Sequence, residues 1–217
     1  VHEVQAPGID AATFFLALPA GRVRLDSERL GPGAYRVAME QGRPAFGRML
    51  REDEEAPFLD ALNLEPKNRD GRLPLEVVST GLPYLIVPVT PGGLARARIR
   101  VADFDGLLEK IGAKFVYVFD AEGREGRTWD NTGAVEDIAT GSAAGPTSAY
   151  LVRHRIVDAE KPFVLRQGRF VGRPSEIRVE VAGSADLPTS VTVAGDVQMV
   201  GTGMIEATLP TEDVLTR

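Results

Sequence analysis

Residues Glu136-Asp137-Ile138-Ala139-Thr140-Gly141-Ser142-Ala143-Ala144-Gly145-Pro146 set a carboxylate just ahead of a turn of small residues, and that turn opens a segment with helical spacing through Ile156. A helix over Gly141 to Ile156 carries Ala143, Ala144, Gly145, Ala149, Leu151 and Val152 on most of its faces, so it belongs in the interior, enclosed by strands. The free amides of its first turn, around Gly141, Ser142 and Ala143, point outward with the positive end of the helix dipole and form a cradle for an anion. Gly141 has no Cβ, which lets a ligand come close to the backbone. Thr140 or Ser142 adds a hydroxyl donor. Asp137 stands beside this cradle, placed to exchange or hold a proton of a carboxylate substrate. The same residues admit a second reading, in which Thr140 or Ser142 is an N-cap and Asp137 a helix-start carboxylate that satisfies the same amides. Spacing alone leaves both open.

On either side of this segment, runs that are apolar throughout or alternate with period two read as strands. They are Thr13 to Leu18, Arg22 to Asp26, Tyr35 to Glu40, Leu75 to Thr80, Leu82 to Val89, Phe115 to Asp120, Phe163 to Gln167, Ile177 to Val181 and Ser190 to Val193. Gly and Pro clusters punctuate them at 19–21, 31–33 and 91–93, and Gly195-Asp196 does the same. A strand from Val197 to Leu209 is interrupted by Gly201 and Gly203, which predicts a bend or a bulge. Helical spacing recurs over Ala56 to Leu64 and Val101 to Ile111. Asp103 and Asp105 near the start of the latter complement the macrodipole, and Gly112 stands where a left-handed cap ends it. Strands mixed with single helices predict an α+β fold rather than a doubly wound sheet. The polar stretch Asn68 to Leu73 is the best seam between domains.

At 217 residues, with 43% hydrophobic and 26% charged, the chain is long enough to bury a core without staples and fits neither disorder nor a fibre. It has no cysteine, which excludes disulfide frameworks, thiolate metal sites, thiol nucleophiles and two-thiol racemase chemistry. A net charge of −6 leaves no basic footprint for nucleic acid or for an anionic membrane surface. The longest apolar stretches, Phe14 to Ala20 and Tyr84 to Val89, fall far short of the roughly 18 residues a spanning helix needs. The opening Val1-His2-Glu3-Val4 has no Met, basic region or apolar region, so it does not read as a natural start, and a cytoplasmic address is the default. Walker loops, dinucleotide fingerprints and metal-ligand spacings are absent, so neither cofactor nor metal is expected. His154, between two arginines, reads as a partner for a helix C-terminus, and Glu52-Asp53-Glu54-Glu55 as a solvated helix start. Trp129 reads as packing between lobes, and Arg169 and Arg173 as either anion holders or turn supports.

Glu136 to Gly145 resembles the Glu-Asp-Pro-Ala-Thr-Gly-Ser-Ala-Ala-Gly signature of phenazine-biosynthesis isomerase (PhzF-like) proteins, within the diaminopimelate epimerase fold superfamily. Gln167-Gly168-Arg169-Phe170-Val171-Gly172-Arg173-Pro174-Ser175 is similar to that family's Gln-Gly-x-x-x-Gly-Arg-Pro-Ser segment. Ser79-Thr80-Gly81-Leu82-Pro83-Tyr84 and Val193-Ala194-Gly195-Asp196-Val197 add two further matches, in the same order and spacing.

The resemblance implies two pseudo-symmetric lobes, each a curved, mostly antiparallel sheet around a central helix, with ligand bound in the cleft between them. It maps the family's second-lobe Asp to Asp137 and its carboxylate cradle to Gly141 and Ser142, with Thr140 beside them. In the epimerase branch each lobe presents a Cys; in the PhzF-like branch a Glu and an Asp take their places, and a chain without cysteine fits the second. Ile138 replaces the family's usual Pro, which changes loop stiffness more than chemistry. The first lobe's Gly-His-Ala/Pro-Thr helix start and its catalytic Glu find no match: the only histidines are His2 and His154, and nothing around Glu3 resembles the Glu site. The expectation is therefore a cofactor-independent isomerase or epimerase for a small carboxylic acid, with an incomplete first lobe over residues 1–72 and a second lobe over 73–217. A fragment, a truncated gene product and one piece of a split protein all fit that pattern. The alternative is a non-catalytic carboxylate binder or degenerate homologue. The uncovered first lobe, exposing some of Phe14, Phe15, Val37 and Met39, predicts a homodimer or another association through that lobe.

Overall fold

Strands β6 (Pro83–Pro88) and β7 (Phe115–Asp120) are apolar except at Asp120, and β5 (Glu76–Ser79) carries Val77 and Val78 at its centre, because both faces of these strands are buried. In this computed structural model, which describes residues 2–18 and 21–204, the alternation of side chains divides them between two cores. Val77, Leu85, Val87, Val116 and Val118 face an outer core covered by α2 (Glu52–Ala61), α3 (Pro91–Arg96) and α4 (Phe104–Glu109) through Phe58, Leu59, Leu94, Phe104 and Leu108. Val78, Tyr84, Ile86, Tyr117 and Phe119 face the opposite way, onto α5 (Gly141–Arg153). Strands β9 (Phe163–Gln167), β10 (Ser175–Gly183) and β11 (Pro188–Gln198) close on the same helix with Leu165, Ile177, Val179, Val181, Val191 and Val193. The sheet thus curls round α5, which touches β5 and β6 on one side and β10 and β11 on the other. Small residues on most faces of a helix allow this close enclosure.

Strands β1 (Ala11–Leu18), β2 (Gly21–Gly31) and β3 (Ala34–Gly42) form an antiparallel meander joined through β3 to β11, and β4 (Ala45–Met49) pairs with β5. With β8 (Glu125–Arg127), the eleven described strands make one sheet in the order β1-β2-β3-β11-β10-β9-β8-β7-β6-β5-β4. Only β6 with β7 and β8 with β9 pair in parallel. The class is α+β, a mixed sheet with few helices, and among the described residues no helix is long and apolar enough to cross a membrane.

Residues 45–72 lie on the same core as the strands that follow them. The polar stretch Asn68 to Leu73 is fixed there: Thr90 N–H donates to Asn68 O at 2.8 Å, Asp70 N–H donates to Pro88 O at 3.1 Å, and Asn68, Asp70 and Leu73 are buried. Helix α2 begins at Glu52, four residues ahead of the apolar spacing, and its acidic start is only partly solvated. Glu55 is buried against Arg69, with Oε2 to Nε at 2.5 Å. Trp129 sits in the outer core beneath the Arg127 guanidinium, 4.9 Å from its ring centre. His154 caps α5 and pairs its Nε2 with the buried Glu76 carboxylate at 2.7 Å. Of the strand read from Val197 to Leu209, Val197 ends β11 with Gln198, residues 199–204 have no regular structure, and 205–209 lie outside the described residues.

Among the described residues, α1 (His2–Gln5) is the helix that lies on the apolar face of β1 to β3, where His2 stacks near Tyr35 and Phe14. Phe14, Val37 and Met39 are half-buried and Phe15 is 56% exposed. A groove of about 430 Å³ runs along this face, lined by Phe14, Leu25, Tyr35, Val37, Val197 and Met199.

Candidate functional site

Asp137 is set by what holds the residue before it. Arg127, at the end of β8, donates to both Glu136 carboxylate oxygens, Nε at 2.9 Å and Nη2 at 2.6 Å, in a pair whose side chains are 10% and 9% exposed. Its Nη1 donates to the carbonyls of Leu94, Ala95 and Ala97 at the end of α3, and its guanidinium lies against the rings of Trp129 and Phe170. A planar fork with five donors suits such a task. Glu136 also bridges to Trp129, and Asp137 N–H donates to Thr128 O at 3.0 Å. With the backbone fixed this way, the Asp137 side chain is exposed.

Its carboxylate accepts two local bonds, from Ile138 N–H to Oδ1 at 2.7 Å and from the Thr140 hydroxyl to Oδ2 at 2.6 Å. Thr140 occupies the N-cap position of α5, but its side chain makes no cap bond to the helix, and the Asp137 carboxylate does not reach the first-turn amides. Ala143 and Ala144 N–H both donate to Thr140 O, while the Gly141 and Ser142 amides find no acceptor among the described residues. These two half-buried amides and the Asp137 carboxylate therefore stand side by side without satisfying one another. At Gly141 only Val193 Cγ1 would come within 4 Å of a Cβ, at 3.9 Å, so the protein leaves the space beside the cradle open.

The four sequence segments that carry the family resemblance converge here. Tyr84 Oη pairs with Ser142 Oγ at 2.8 Å, and burial pushes the Tyr84 phenol up from its ordinary value, opposed by the Ser142 hydroxyl and reinforced by the Asp137 charge. Thr80 Oγ1 donates to Gln41 Oε1 at 2.6 Å, and Gln41 Nε2 donates to Gly141 O at 3.0 Å. Gln41 lies where the β3 register against β11 slips by one residue, Gly42 facing Val191 and Glu40 facing Thr192, so the bulge aims its side chain at the helix. Gly145 has no room for a Cβ, which would collide with Gln41 Oε1 and lie 2.8 Å from Thr80 Oγ1. Gln167 reaches the turn from β9 and bonds Asp137 O and Thr140 Oγ1.

Asp137, Thr140, Gly141 and Ser142 are thus brought together as one turn. Gln41, Tyr84 and Gln167 are neighbours that the sequence did not assign to the site; Tyr84 and Gln167 lie inside the quoted motifs, whereas Gln41 carries no signal beyond following the strand read from Tyr35 to Glu40. Arg169 is occupied by Glu125, Nη2 to Oε2 at 2.6 Å. Arg173 supports a turn through its backbone, its N–H donating to Gly168 O at 2.9 Å.

The curved sheet closed round one helix is that of the epimerase and racemase fold, shared with a hydroxyproline epimerase of Agrobacterium vitis at a TM-score of 0.60 and 15% identity, over 90% of this chain and 60% of that one. The solved structure of a predicted epimerase from Pseudomonas aeruginosa superposes with a TM-score of 0.82 at 43% identity, over 93% of this chain and 71% of that one. The chain belongs to the phenazine biosynthesis-like protein family, whose pattern matches residues 2–203. Curated relatives include the uncharacterized isomerase YddE of Escherichia coli, 31% identical over 89% of this chain and 69% of the relative. Trans-2,3-dihydro-3-hydroxyanthranilate isomerase of Pseudomonas chlororaphis is 29% identical over 90% of this chain and 68% of its own length.

Proposed function

We propose that this chain carries the second-lobe half of a cofactor-independent isomerase site, acting in the cytoplasm on a small carboxylic acid by proton abstraction and return. The observation that carries the reading is the Asp137 carboxylate standing beside the Gly141 and Ser142 amides, which have no acceptor of their own among the described residues. The substrate carboxylate rests on those amides. They stabilise the negative charge that develops toward an enediolate or dienol once a neighbouring C–H proton leaves, where fixed donors are worth more than water. Asp137 holds or relays that proton. A substrate such as the one for which the P. chlororaphis relative is named has the carboxylate this cradle asks for. In this reading β1 to β3 belong to a first lobe, β4 and α2 belong with the second lobe whose core they share, and the first-lobe Glu of the family comes from protein outside these 217 residues.

Benzoate titrated into the protein is expected to shift the amide resonances of Gly141 and Ser142 ahead of all others. Benzoate that leaves both amides unmoved removes the cradle, and with it both the isomerase and a non-catalytic carboxylate binder. Solvent deuterium incorporated into a carboxylate substrate separates those two, since a binder moves no proton.

The same reading pairs the chain as a homodimer, or associates it, through the first-lobe strands. Val197 and Met199, each about half exposed, line an apolar groove with Phe14 and Leu25, and Phe15 and Leu18, also about half exposed, line a separate hollow beside Val23; apolar side chains exposed together in this way mark an interface. Light scattering is expected to give a mass above that of the 23.4 kDa chain, with little dye binding once the face is covered. A 23.4 kDa monomer that binds no hydrophobic dye would show that the shortened lobe closes its own core.

A further inference from the structure

Gln167 ends β9 in the middle of the sheet, is 1% exposed, and uses both ends of its amide on the Asp137 turn. Nε2 donates to Asp137 O at 2.8 Å and to Thr140 Oγ1 at 2.9 Å, while Oε1 accepts from Thr140 N–H and from Tyr117 Oη, both at 3.2 Å. A carbonyl only accepts and a backbone N–H only donates, so Asp137 O and Thr140 N together fix which way the amide faces. The direction propagates. Because Thr140 Oγ1 receives a proton from Nε2, its own single proton is directed to Asp137 Oδ2, 2.6 Å away. Nothing in packing alone requires that order.

The next residue holds the same turn from outside. Gly168 has φ +85°, in the left-handed region, and a Cβ there would collide with Arg173 O and lie 2.7 Å from Ile138 O. The glutamine and the glycine therefore grip residues 137, 138 and 140 from the end of β9, which pairs with β10 from Phe163 through Gln167 and with β8 at Arg166.

We propose that Gln167 is the positioning residue of this site: through the Thr140 hydroxyl it fixes the Asp137 carboxylate as a proton acceptor, and through the Thr140 amide it sets the Gly141 and Ser142 cradle beside it. This inference rests on the reading of Asp137 as the proton carrier. It concerns the carboxylate's placement, and Gln167 itself touches no substrate.

The test is a double-mutant cycle on this chain, with Gln167→Met, Thr140→Val and their combination, and with Thr140→Ser as the variant that keeps the hydroxyl. Two readouts are taken: benzoate affinity from the Gly141 and Ser142 amide shifts, and the Asp137 side-chain rotamer from its Hα–Hβ couplings. Gln167→Met and Thr140→Val are each expected to weaken benzoate about tenfold, as loss of a buried hydrogen bond would, and to average the Asp137 couplings. The combination is expected to be no weaker than the worse single variant, because both break one chain of bonds. Thr140→Ser is expected to restore both readouts. If Gln167→Met lowers Tm but leaves Asp137 in one rotamer, or if the two losses simply add, Gln167 is a packing residue and the proposal is overturned. If the wild-type protein does not bind benzoate, the cradle reading fails by itself, and the couplings alone decide the role of Gln167.

Discussion

Asp137→Asn is expected to lower the kcat/KM of the isomerase reaction by at least about a hundredfold while leaving the fold nearly as stable, since positioned acid–base groups contribute on that order or more. The amide matches the carboxylate in shape and keeps one acceptor for Ile138 N–H, now 2.7 Å from Oδ1. What it loses is the ability to take a proton. Its NH2 group also meets Thr140 Oγ1, which already receives a proton from Gln167, so one hydroxyl hydrogen is left without its partner at a cost of about 1 kcal/mol. The measurement is solvent deuterium incorporated by the complete protein, its first-lobe Glu included, alongside the denaturant midpoint of the variant. Activity within tenfold of wild type corresponds to about 1.4 kcal/mol of transition-state stabilisation, too little for a proton-transferring group, and would reduce Asp137 to a turn residue.

Much of the fold can be read from pattern because burial imposes it directly. Phe115 to Asp120 and Phe163 to Gln167 are strands with the bounds their apolar runs give, and α5 starts at Gly141 where the small residues begin. Elements held by tertiary contacts leave no such trace. Strand β8 is three residues, Glu-Gly-Arg, and exists because β7 and β9 flank it. Helix α3 reads as a Pro-Gly-Gly turn, yet Thr90 caps it by accepting from Gly93 N–H at 3.1 Å, and Pro91 starts it. The buried charge of Glu55 escapes notice because its partner, Arg69, lies 14 positions away and meets it only when α2 folds down. The candidate site divides the same way. Asp137 to Ser142 are contiguous and stand out as a motif, whereas Gln41 acquires its place from a register slip between two strands distant in sequence.

Arg127→Met is expected to destabilise the protein by about 3–5 kcal/mol, the range seen when one partner of a buried ion pair is removed and the other stays. Both side chains are about nine-tenths buried, so solvent screening relieves little of that cost. The loss has two parts. Glu136 keeps a charge with no counterion, and the carbonyls of Leu94, Ala95 and Ala97 lose the donor that gathers the end of α3. Arg127→Lys keeps the charge but not the fork that serves Glu136 and three carbonyls together, and should fall between the two. Replacing both partners, Arg127→Met with Glu136→Leu, is expected to recover only the first part, because the α3 carbonyls remain unserved. Denaturant midpoints of the four proteins read the series directly. The benzoate response of Gly141 in the double variant then tells whether the strut also serves the site, since Asp137 follows Glu136 in the chain and its backbone keeps its bonds to Thr128 and Gln167 once the pair is gone. If Arg127→Met costs less than about 1 kcal/mol, the pair is no stronger than one exposed to solvent, and the placement of Asp137 must come from its bonds to Thr128 and Gln167.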